Sequence, residues 1–497
     1  MTRSFFAGLM GLALILSACG QPQATNQLIT PRPSVAGIQL KNAAQATPGG
    51  PTPTPFDTPT PDPTRVVDDA GTELYIVQDG DTFIGIANEF GTTPEEIAQT
   101  NGLTTLSMIH PGDPLNVPLQ LDRVGPNVKL IPDSELVYSP GTIDFDITAF
   151  IDRTNGYLKT YTEEVDGETL TGAQVVQRVA ERFSVNPRLL LALLEYRGGW
   201  LSNKTPNADQ QAYPLGYRNA GFQGLYLQLA RTANRLNDGY YGWKGRGERT
   251  VRFQDNSRAR IASGLNAGTV GLQTMLAADR TYDQWLNDAA PDGFLKTYRK
   301  WFGEPLQYAA SILPGDLQQP QFTLPWAAGE TWYYSGGPHG GWGSGAGWAA
   351  IDFVADQVDI GCLTSDRWVT AMSDGLVIRS ENGEVVVDLD NDGIEQTGWT
   401  ILYMHVAAED RVAAGTQITA GDRIGHPSCE GGVSSATHVH LARRYNGEWI
   451  PAGGIVPLEM DGWKVTGEAT EYDGRLAKGD QVKVACECRE EKNSVTR

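Results

Sequence analysis

The spacing of apolar residues predicts a compact unit that begins near residue 71. Residues 74–77 form an apolar run typical of a strand, and a helix face follows at positions i, i+3, i+4 and i+7. That face consists of Phe83, Ile86, Ala87 and Phe90. A second helix is predicted from Thr93 as its N-cap and Glu96, which completes a capping box. Residues 115–118 return as a strand, so the pattern predicts a β-α-α-β unit over residues 71–119.

Two longer segments follow, and their periodicities differ. Between residues 166 and 315 the pattern is largely helical, with a capping box at Thr171 and Gln174 and an apolar run at 189–194. Beyond about residue 320 the chain has short apolar runs separated by glycine, which predicts antiparallel strands. The chain is therefore predicted to be a multidomain α+β protein with a linker at 120–165, a helical domain at 166–315 and a β domain at 320–497.

The first 70 residues differ from the rest in composition. Arg3 precedes a short apolar run at 5–16, which suits a signal peptide and is too short for a membrane-spanning helix. The run ends in Leu16-Ser17-Ala18-Cys19-Gly20, which resembles the lipobox of bacterial lipoproteins. This resemblance implies a signal peptide at 1–18 and lipidation of Cys19, and the alternative is an ordinary signal peptide. Residues 19–70 are rich in Pro and Thr and are predicted to be an extended tether.

The charge of the chain excludes one class of partner. There are 59 acidic and 39 basic residues, which gives a formal net charge of −20. Binding to a nucleic-acid backbone needs basic patches, and the basic residues here are scattered. We therefore expect no nucleic-acid partner. Together with the signal peptide and the lipobox, this predicts an exported, extracytoplasmic protein that a lipid tethers to a bacterial membrane.

Histidines concentrate in the last third of the chain, which contains five of the six. His438 and His440 form a His-x-His pair, and alternation along a strand sends both side chains to one face. Imidazole and carboxylate are good zinc ligands, and a catalytic zinc needs three of them and an open position. The group is completed by His339, Asp352 and His405. These residues predict a zinc hydrolase.

The order of these residues adds a family resemblance. The motifs are Gly336-Gly337-Pro338-His339-Gly340, Ala350-Ile351-Asp352-Phe353, Leu402-Tyr403-Met404-His405 and His438-Val439-His440. They resemble the lysostaphin/LytM-type zinc metallopeptidases, and the long step from His339 to Asp352 is similar to the beta-lytic and staphylolysin branch. The resemblance implies that His339, Asp352 and His440 bind one Zn²⁺. It places His405 and His438 beside the reacting water, and which of the two is the general base stays open.

Two further resemblances concern the earlier segments. The β-α-α-β unit resembles a LysM domain, with Gly80-Asp81-Thr82, Asn101-Gly102 and Ile109-His110-Pro111-Gly112 among its matching residues. Such domains bind the glycan of peptidoglycan or chitin. The sequence around the apolar run that ends near Glu195 faintly resembles lysozyme-like lytic transglycosylases, in which that residue is the general acid. Here Glu195 is followed by Tyr196 where the family has Ser, so a structural or glycan-binding role is the alternative.

Cysteines and an acidic loop supply the remaining candidates. Outside the cytoplasm cysteines are expected to pair, and we favour a disulfide between Cys362 and Cys429, with the pairing of Cys486 and Cys488 left open. Asp388, Asp390 and Asp392 precede a glycine with the spacing that begins a Ca²⁺ loop. The twelfth position is Trp399 instead of Glu, so a hairpin turn explains these residues equally well.

Together these features predict a surface lipoprotein that hydrolyses peptide bonds in peptidoglycan. The glycan would be bound by the LysM domain, and stem or bridge peptides would be cut by the zinc domain. The main alternative is a non-enzymatic wall-binding scaffold or amidase activator. A third possibility is a bifunctional enzyme whose helical domain cleaves glycan.

Overall fold

The computed structural model describes residues 71–78, 80–355 and 361–497. The predicted signal peptide, the lipidation site at Cys19 and the tether up to residue 70 lie outside this range. No helix within the described range is both long and apolar enough to cross a membrane.

The first four elements form the predicted β-α-α-β unit. Strand β1 (Thr72–Ile76) pairs antiparallel with β2 (Pro114–Pro118), and α1 (Phe83–Phe90) and α2 (Pro94–Thr100) lie between them in sequence. Thr93 and Glu96 form the predicted capping box at the start of α2. The four predicted core residues of α1 are all buried, which confirms the helix face inferred from their spacing.

The middle domain contains eight helices and two short hairpins. The helices are α3 (Ile147–Asp152), α4 (Gly172–Phe183), α5 (Pro187–Gly198), α6 (Ala208–Ala212), α7 (Leu225–Tyr241), α8 (Ala267–Ala277), α9 (Tyr282–Asp288) and α10 (Phe294–Phe302). The hairpins are β3 (Thr162–Val165) with β4 (Glu168–Thr171), and β5 (Thr250–Arg252) with β6 (Arg258–Arg260). Helix α5 is buried on all sides along residues 189–194, so it forms the centre of this domain.

Part of the segment that the sequence predicts as a linker belongs to this helical core. Leu130, Leu136 and Leu158 are buried in the same cluster as α5. The carboxylate of Glu135 is fully buried and forms an ion pair with Arg188 of α5. Much of this segment forms 3₁₀ turns of only three or four residues. These turns are too short to show a helical spacing of apolar residues, so the sequence pattern does not reveal that the segment is buried. The helical domain thus begins near residue 130 and not at 166.

The β-α-α-β unit is docked on the hairpin β5–β6. The buried carboxylate of Glu73 accepts hydrogen bonds from the backbone N–H of Arg249 (2.8 Å) and the hydroxyl of Thr250 (3.0 Å). Glu89 forms ion pairs with Arg252 (2.9 Å) and Arg258 (3.2 Å). These contacts join the first domain to the second through a charged interface.

The C-terminal domain is built on a nine-stranded sheet. Its strand order is β13-β10-β11-β12-β15-β8-β7-β21, with β16 also paired to β15. These strands are β7 (Thr331–His339), β8 (Ala350–Val354), β10 (Gly375–Glu381), β11 (Glu384–Asp388), β12 (Trp399–Met404), β13 (Gln417–Ile418), β15 (Val439–Tyr445), β16 (Glu448–Trp449) and β21 (Ser494–Thr496). The described neighbours in this sheet are antiparallel, as the sequence predicts.

Two smaller sheets complete this domain. Strands β9 (Val369–Thr370) and β14 (Arg423–Gly425) form a pair. A four-stranded sheet follows near the C-terminus, in the order β17 (Glu459–Met460), β18 (Trp463–Gly467), β19 (Gly474–Lys478) and β20 (Gln481–Val484).

The two faces of the main sheet are buried against different partners. Along β12, Ile401 and Tyr403 contribute to a core within the C-terminal domain, whereas Leu402 and Met404 contribute to the core of the helical domain. The same alternation runs along β11 and β15. The helical domain therefore packs directly on one face of the sheet.

Candidate metal centre

Three neighbouring strands bring His339, Asp352 and His440 together. His440 of β15 lies directly opposite Asp352 of β8, and Gly336 of β7 lies on the other side of Asp352. The pairing of β7 with β8 shifts register between Gly336 and His339, which lets the last residue of β7 reach the same site. All three side chains are buried, with 3–8% of their surface exposed.

The potential ligand atoms of these residues converge on a small space. Asp352 Oδ1 lies 3.3 Å from His339 Nε2 and 3.3 Å from His440 Nδ1. The two imidazole nitrogens are 2.9 Å apart. The three residues thus form a compact donor set that could hold one metal ion.

Hydrogen bonds to backbone carbonyl groups fix which ring nitrogens are free. His339 Nδ1–H donates to the carbonyl of Gly337 (2.8 Å), and His440 Nε2–H donates to the carbonyl of Gly341 (3.2 Å). In the neutral rings the other nitrogens, His339 Nε2 and His440 Nδ1, therefore carry lone pairs that face each other. This arrangement fits a cation between them.

The carboxylate of Asp352 fits the same cation. Its Oδ1 atom is buried and has no hydrogen-bond partner among the described residues. Burial opposes ionisation of this carboxyl, but the imidazoles of His339, His440 and His438 outweigh burial and hold its pKa well below the usual range. An ionised, buried oxygen that lacks a hydrogen-bond donor is the kind of ligand that a divalent metal completes.

His405 and His438 lie beside this donor set. His438 Nδ1–H donates to the carbonyl of Ala436 (2.8 Å), and its free Nε2 is 3.8 Å from Asp352 Oδ1. His405 Nδ1–H donates to the carbonyl of Glu430 (3.1 Å), which leaves its Nε2 as an acceptor. The two rings have centroids 4.4 Å apart. Both histidines therefore present an unprotonated nitrogen near the candidate metal site.

The backbone and burial of His405 are unusual. Its φ is +62°, a left-handed conformation that costs energy for a residue with a side chain. Its carbonyl accepts a hydrogen bond from the N–H of Ser428 (2.7 Å), which helps to fix this conformation. Burial, together with the nearby rings of His438 and His440, lowers the pKa of His405 to about 3. His405 is therefore neutral at physiological pH.

Tyr472, which no sequence motif singles out, contacts the site from the turn between β18 and β19. Its ring stacks on His339 with centroids 4.3 Å apart and planes inclined by 17°. Its backbone, at φ +69°, is linked to β7 because its N–H donates to Pro338 and its carbonyl accepts from Gly337. The neighbouring Glu471 accepts a hydrogen bond from the N–H of Gly340 (3.0 Å). Only the fold brings these two residues beside a histidine more than a hundred positions earlier.

A disulfide between Cys362 and Cys429 ties together two loops next to the site, as the sequence predicts. Thr437, which immediately precedes His438, links the same loops by accepting a hydrogen bond from the N–H of Leu363 (3.0 Å) and donating to Gly361. Cys486 and Cys488 form the second disulfide, a pairing that the sequence left open.

The remaining candidate residues lie outside this centre. Glu195 accepts hydrogen bonds from the N–H of Leu201 (2.9 Å) and from the N–H and hydroxyl of Ser202 (3.2 and 2.6 Å). These contacts tie its carboxylate into the turn after α5. The glycosidase role of Glu195 stays a prediction that the geometry does not favour.

The acidic loop after β11 brings three carboxylates together. Asp388, Asp390 and Asp392 offer oxygens within 4.8 Å of one another. Each of the three carboxylates also accepts a hydrogen bond from a backbone N–H of the loop itself. For example, the N–H of Gly393 donates to Asp388 (2.9 Å). A hairpin turn accounts for these contacts, and the calcium site stays a prediction.

Comparison with known proteins relates two parts of the chain to described families. Residues 129–316 match the family described as LasA, N-terminal domain, and residues 75–118 match the LysM domain. The helical domain of this chain is therefore similar to the LasA N-terminal domain, and the chain carries a LysM domain. The LysM match covers the β-α-α-β unit, in agreement with the resemblance noted from its sequence. The LasA match includes most of the segment from 120 to 165, in agreement with the burial of that segment in the helical core.

Similar proteins include curated relatives and solved structures. Protease LasA from two strains of Pseudomonas aeruginosa is 26% identical over 294 residues, which cover 55% of this chain and 66% of the relative, just under two thirds of its length. Pseudoalterin, described as a novel M23 metalloprotease from the deep sea, is 22% identical, with 36% of this chain and 99% of that chain covered and a TM-score of 0.29. The catalytic domain of lysostaphin from Staphylococcus simulans is 25% identical, with 25% of this chain and 89% of that chain covered and a TM-score of 0.18.

Proposed function

We propose that this protein is a zinc-dependent endopeptidase that hydrolyses peptide bonds in the bacterial cell wall. The observation that carries the proposal is the convergence of two imidazole lone pairs and an unpartnered buried carboxylate oxygen, from His339, His440 and Asp352. A His₂-Asp set with no fourth protein ligand among the described residues fits a catalytic zinc better than a closed structural site. When bound there, zinc supplies a Lewis acid for the scissile carbonyl and lowers the pKa of a water ligand.

The remaining residues of the site would handle protons and position the substrate. The rings of His405 and His438 lie beside the candidate metal site with their Nε2 atoms free, so either imidazole is a candidate to accept the proton of the attacking water. The proton that this imidazole accepts can then be passed to the leaving amine as the peptide bond breaks. Tyr472 would fix the ring of His339 by stacking and form one edge of the open side, where 54% of its surface is exposed.

The LysM domain supports the choice of polymer. A glycan-binding module in the same chain as a peptidase site would keep the enzyme on peptidoglycan, which raises the local concentration of wall peptides. In this proposal Cys19 carries the lipid and the Pro/Thr-rich segment acts as a spacer, so the protein would be anchored in the bacterial envelope. The support for this anchor is the sequence of residues 1–70 alone.

Metal analysis and product identification test the proposal together. The purified protein should contain about one zinc per chain and release new peptide amino termini from purified walls, detected by mass spectrometry of the products. Wall hydrolysis that persists in His440→Ala would contradict the zinc mechanism. Wall binding without hydrolysis in the zinc-loaded protein would indicate a scaffold or activator, and new reducing or anhydro sugar ends would indicate a glycan-cleaving enzyme.

A further inference from the structure

Four arginines line a small pocket in the helical domain, which we call the arginine pocket. Arg197 lies in the last turn of α5, Arg231 and Arg235 lie in α7, and Arg280 lies in the turn between α8 and α9. The chain as a whole has a net charge of −20, so four guanidinium groups around one pocket run against its general composition. No residue of the candidate metal centre lines this pocket.

Two of the arginines share one carboxylate. Asp288 Oδ2 lies 2.9 Å from Arg197 Nη1 and 3.1 Å from Arg280 Nε, and its Oδ1 accepts a hydrogen bond from the hydroxyl of Tyr196 (2.6 Å). The side chain of Arg197 is only 6% exposed. Although its Nη1 atom is close to Asp288, the N–H groups of this atom point at no acceptor among the described residues. A buried guanidinium in the pocket wall therefore retains hydrogen-bond donors that a ligand can use.

Arg231 has a distant partner and a like-charged neighbour. Its Nη2 atom lies 3.8 Å from Asp279 Oδ2, which is beyond hydrogen-bond distance. Arg235 follows four residues later on the same face of α7, a spacing at which like charges repel. Burial lowers the pKa of Arg231, and the repulsion from Arg235 acts in the same direction against the attraction of Asp279. An anion in the pocket would offset this repulsion.

Aromatic and apolar side chains prepare the pocket for an anion. The guanidinium carbon of Arg231 lies 3.3 Å from the centre of the Tyr217 ring. This contact restrains the Arg231 side chain, so less conformational entropy is lost when a ligand binds. Leu215 and Met275 are buried and supply apolar walls, and such surroundings strengthen hydrogen bonds between charged groups.

We propose that the arginine pocket binds the terminal carboxylate of a peptide. A guanidinium presents paired N–H donors that match the two oxygens of a carboxylate, and Arg197 and Arg231 bring two such groups from different helices. The interior has room for little more than one water-sized group, which suits a carboxylate better than a phosphate with its four oxygens. The choice of a peptide as the carrier of the carboxylate rests on the proposed function, whereas the assignment of an anion site does not.

Asp279 competes with such a ligand and provides a variant that should improve binding. Its side chain is 46% exposed, and its carboxylate is attracted to Arg231. Its φ is +58°, a conformation that Asn also tolerates, so Asp279→Asn removes the charge without straining the backbone. We expect this variant to bind a peptide carboxylate about two- to fivefold more tightly, the gain that corresponds to one exposed ion pair.

Calorimetric titration of the zinc-loaded full chain with N-acetyldiglycine tests the proposal. The carboxamide of the same compound lacks the charge and is the control ligand, and inorganic phosphate is the alternative anion. Arg231→Gln should weaken binding of N-acetyldiglycine by about tenfold or more, the usual loss for a hydrogen bond between charged groups. The zinc site is the same in parent and variants, so binding of the carboxylate to zinc does not contribute to the difference.

Arg299→Gln is the matched control variant. Arg299 forms its ion pair with Glu304 at an exposed position of the same domain, and neither residue lines the pocket. Its affinity for N-acetyldiglycine should equal that of the parent.

The outcomes separate the pocket from the peptidase activity. Tighter binding in Asp279→Asn together with weaker binding in Arg231→Gln supports the inference. Equal affinity for the acid and its carboxamide, unchanged affinity in both pocket variants, or no measurable binding overturns it, and tighter binding of phosphate than of N-acetyldiglycine overturns the assignment to a peptide carboxylate. Absence of wall hydrolysis in a zinc-loaded protein that binds N-acetyldiglycine through Arg231 would contradict the proposed function and still support the anion site.

Discussion

His440 lies directly opposite Asp352 in neighbouring strands, with its Nδ1 atom 3.3 Å from the carboxylate oxygen that lacks a hydrogen-bond partner. This relationship predicts that the two residues act as one binding unit. Asp352→Asn keeps the shape of the side chain but removes its charge, so zinc affinity should fall by at least about tenfold, the smallest loss seen even for residues that only support ligands. Zinc content after dialysis against a graded series of chelator concentrations measures this effect. Asp316→Asn, in an exposed turn, is the control and should bind zinc normally.

Gly336 provides space for the Asp352 carboxylate. A Cβ atom at Gly336 would lie 2.6 Å from Asp352 Oδ2 and 3.1 Å from its Cβ, so Gly336→Ala must displace that side chain. We expect a loss of zinc affinity of the order of tenfold, without loss of the fold, because misorienting a ligand costs about as much as losing its supporting contacts. Gly315→Ala is the matched control, since a Cβ there meets no atom within 4 Å. Equal zinc affinity in the two variants would show that the carboxylate position is not critical.

His405 and His438 should affect the reaction and not metal binding. His405→Gln and His438→Gln should each lower kcat by about 10² to 10⁴-fold, the usual contribution of a general acid or base, at normal zinc content. His426→Gln is the control because the ring of His426 packs at a tilt against Trp368 and donates to the carbonyl of Arg367, and neither contact involves the metal-site residues. Rates of peptide-bond hydrolysis at matched zinc occupancy provide the measurement. Loss of zinc in the His438 variant would instead make His438 a ligand.

Local patterns in the sequence predict the elements better than they predict the contacts between domains. The helix face of α1 and the His-x-His pair could be predicted because each depends on a spacing of a few residues. Tyr472 could not, because its contact with His339 depends on the turn between β18 and β19 and on the pairing of distant strands. Glu384 is another such case, since an isolated glutamate in a strand gives no sign of a buried partner on α4. Long-range packing determines these contacts, and periodicity along one segment contains no information about it.

The disulfide between Cys362 and Cys429 should contribute to stability near the site. It closes a loop with a sequence separation of 67 residues. In the chain-entropy account such a loop is worth about 4 kcal/mol of unfolding free energy. Cys362→Ser with Cys429→Ser should therefore lower the denaturation midpoint of the C-terminal domain. Cys486→Ser with Cys488→Ser, which opens a loop with a sequence separation of only 2, is the control with a much smaller effect. Similar midpoints for the two double variants would contradict the entropic account.

The acidic loop makes stability depend on pH. Burial raises the pKa of Asp388 to about 7, with the help of Asp390 and Asp392 and against the hydrogen bond from Gly393. Because this pKa lies above the ordinary value of about 4, the folded protein favours the protonated carboxyl, and stability falls as pH rises from about 4 to 7. Asp388→Asn should remove this penalty, since its amide oxygen can still accept the N–H of Gly393. We expect the variant to be more stable than the parent above pH 7 by about 1 kcal/mol, allowing for solvent screening, and equally stable near pH 4. Thermal denaturation between pH 4 and 8 measures the difference in stability between the parent and the variant. The same series with added Ca²⁺ tests the calcium prediction, because a bound cation would stabilise the parent above pH 7 and not the variant. A difference between parent and variant that does not change with pH would show that Asp388 titrates normally.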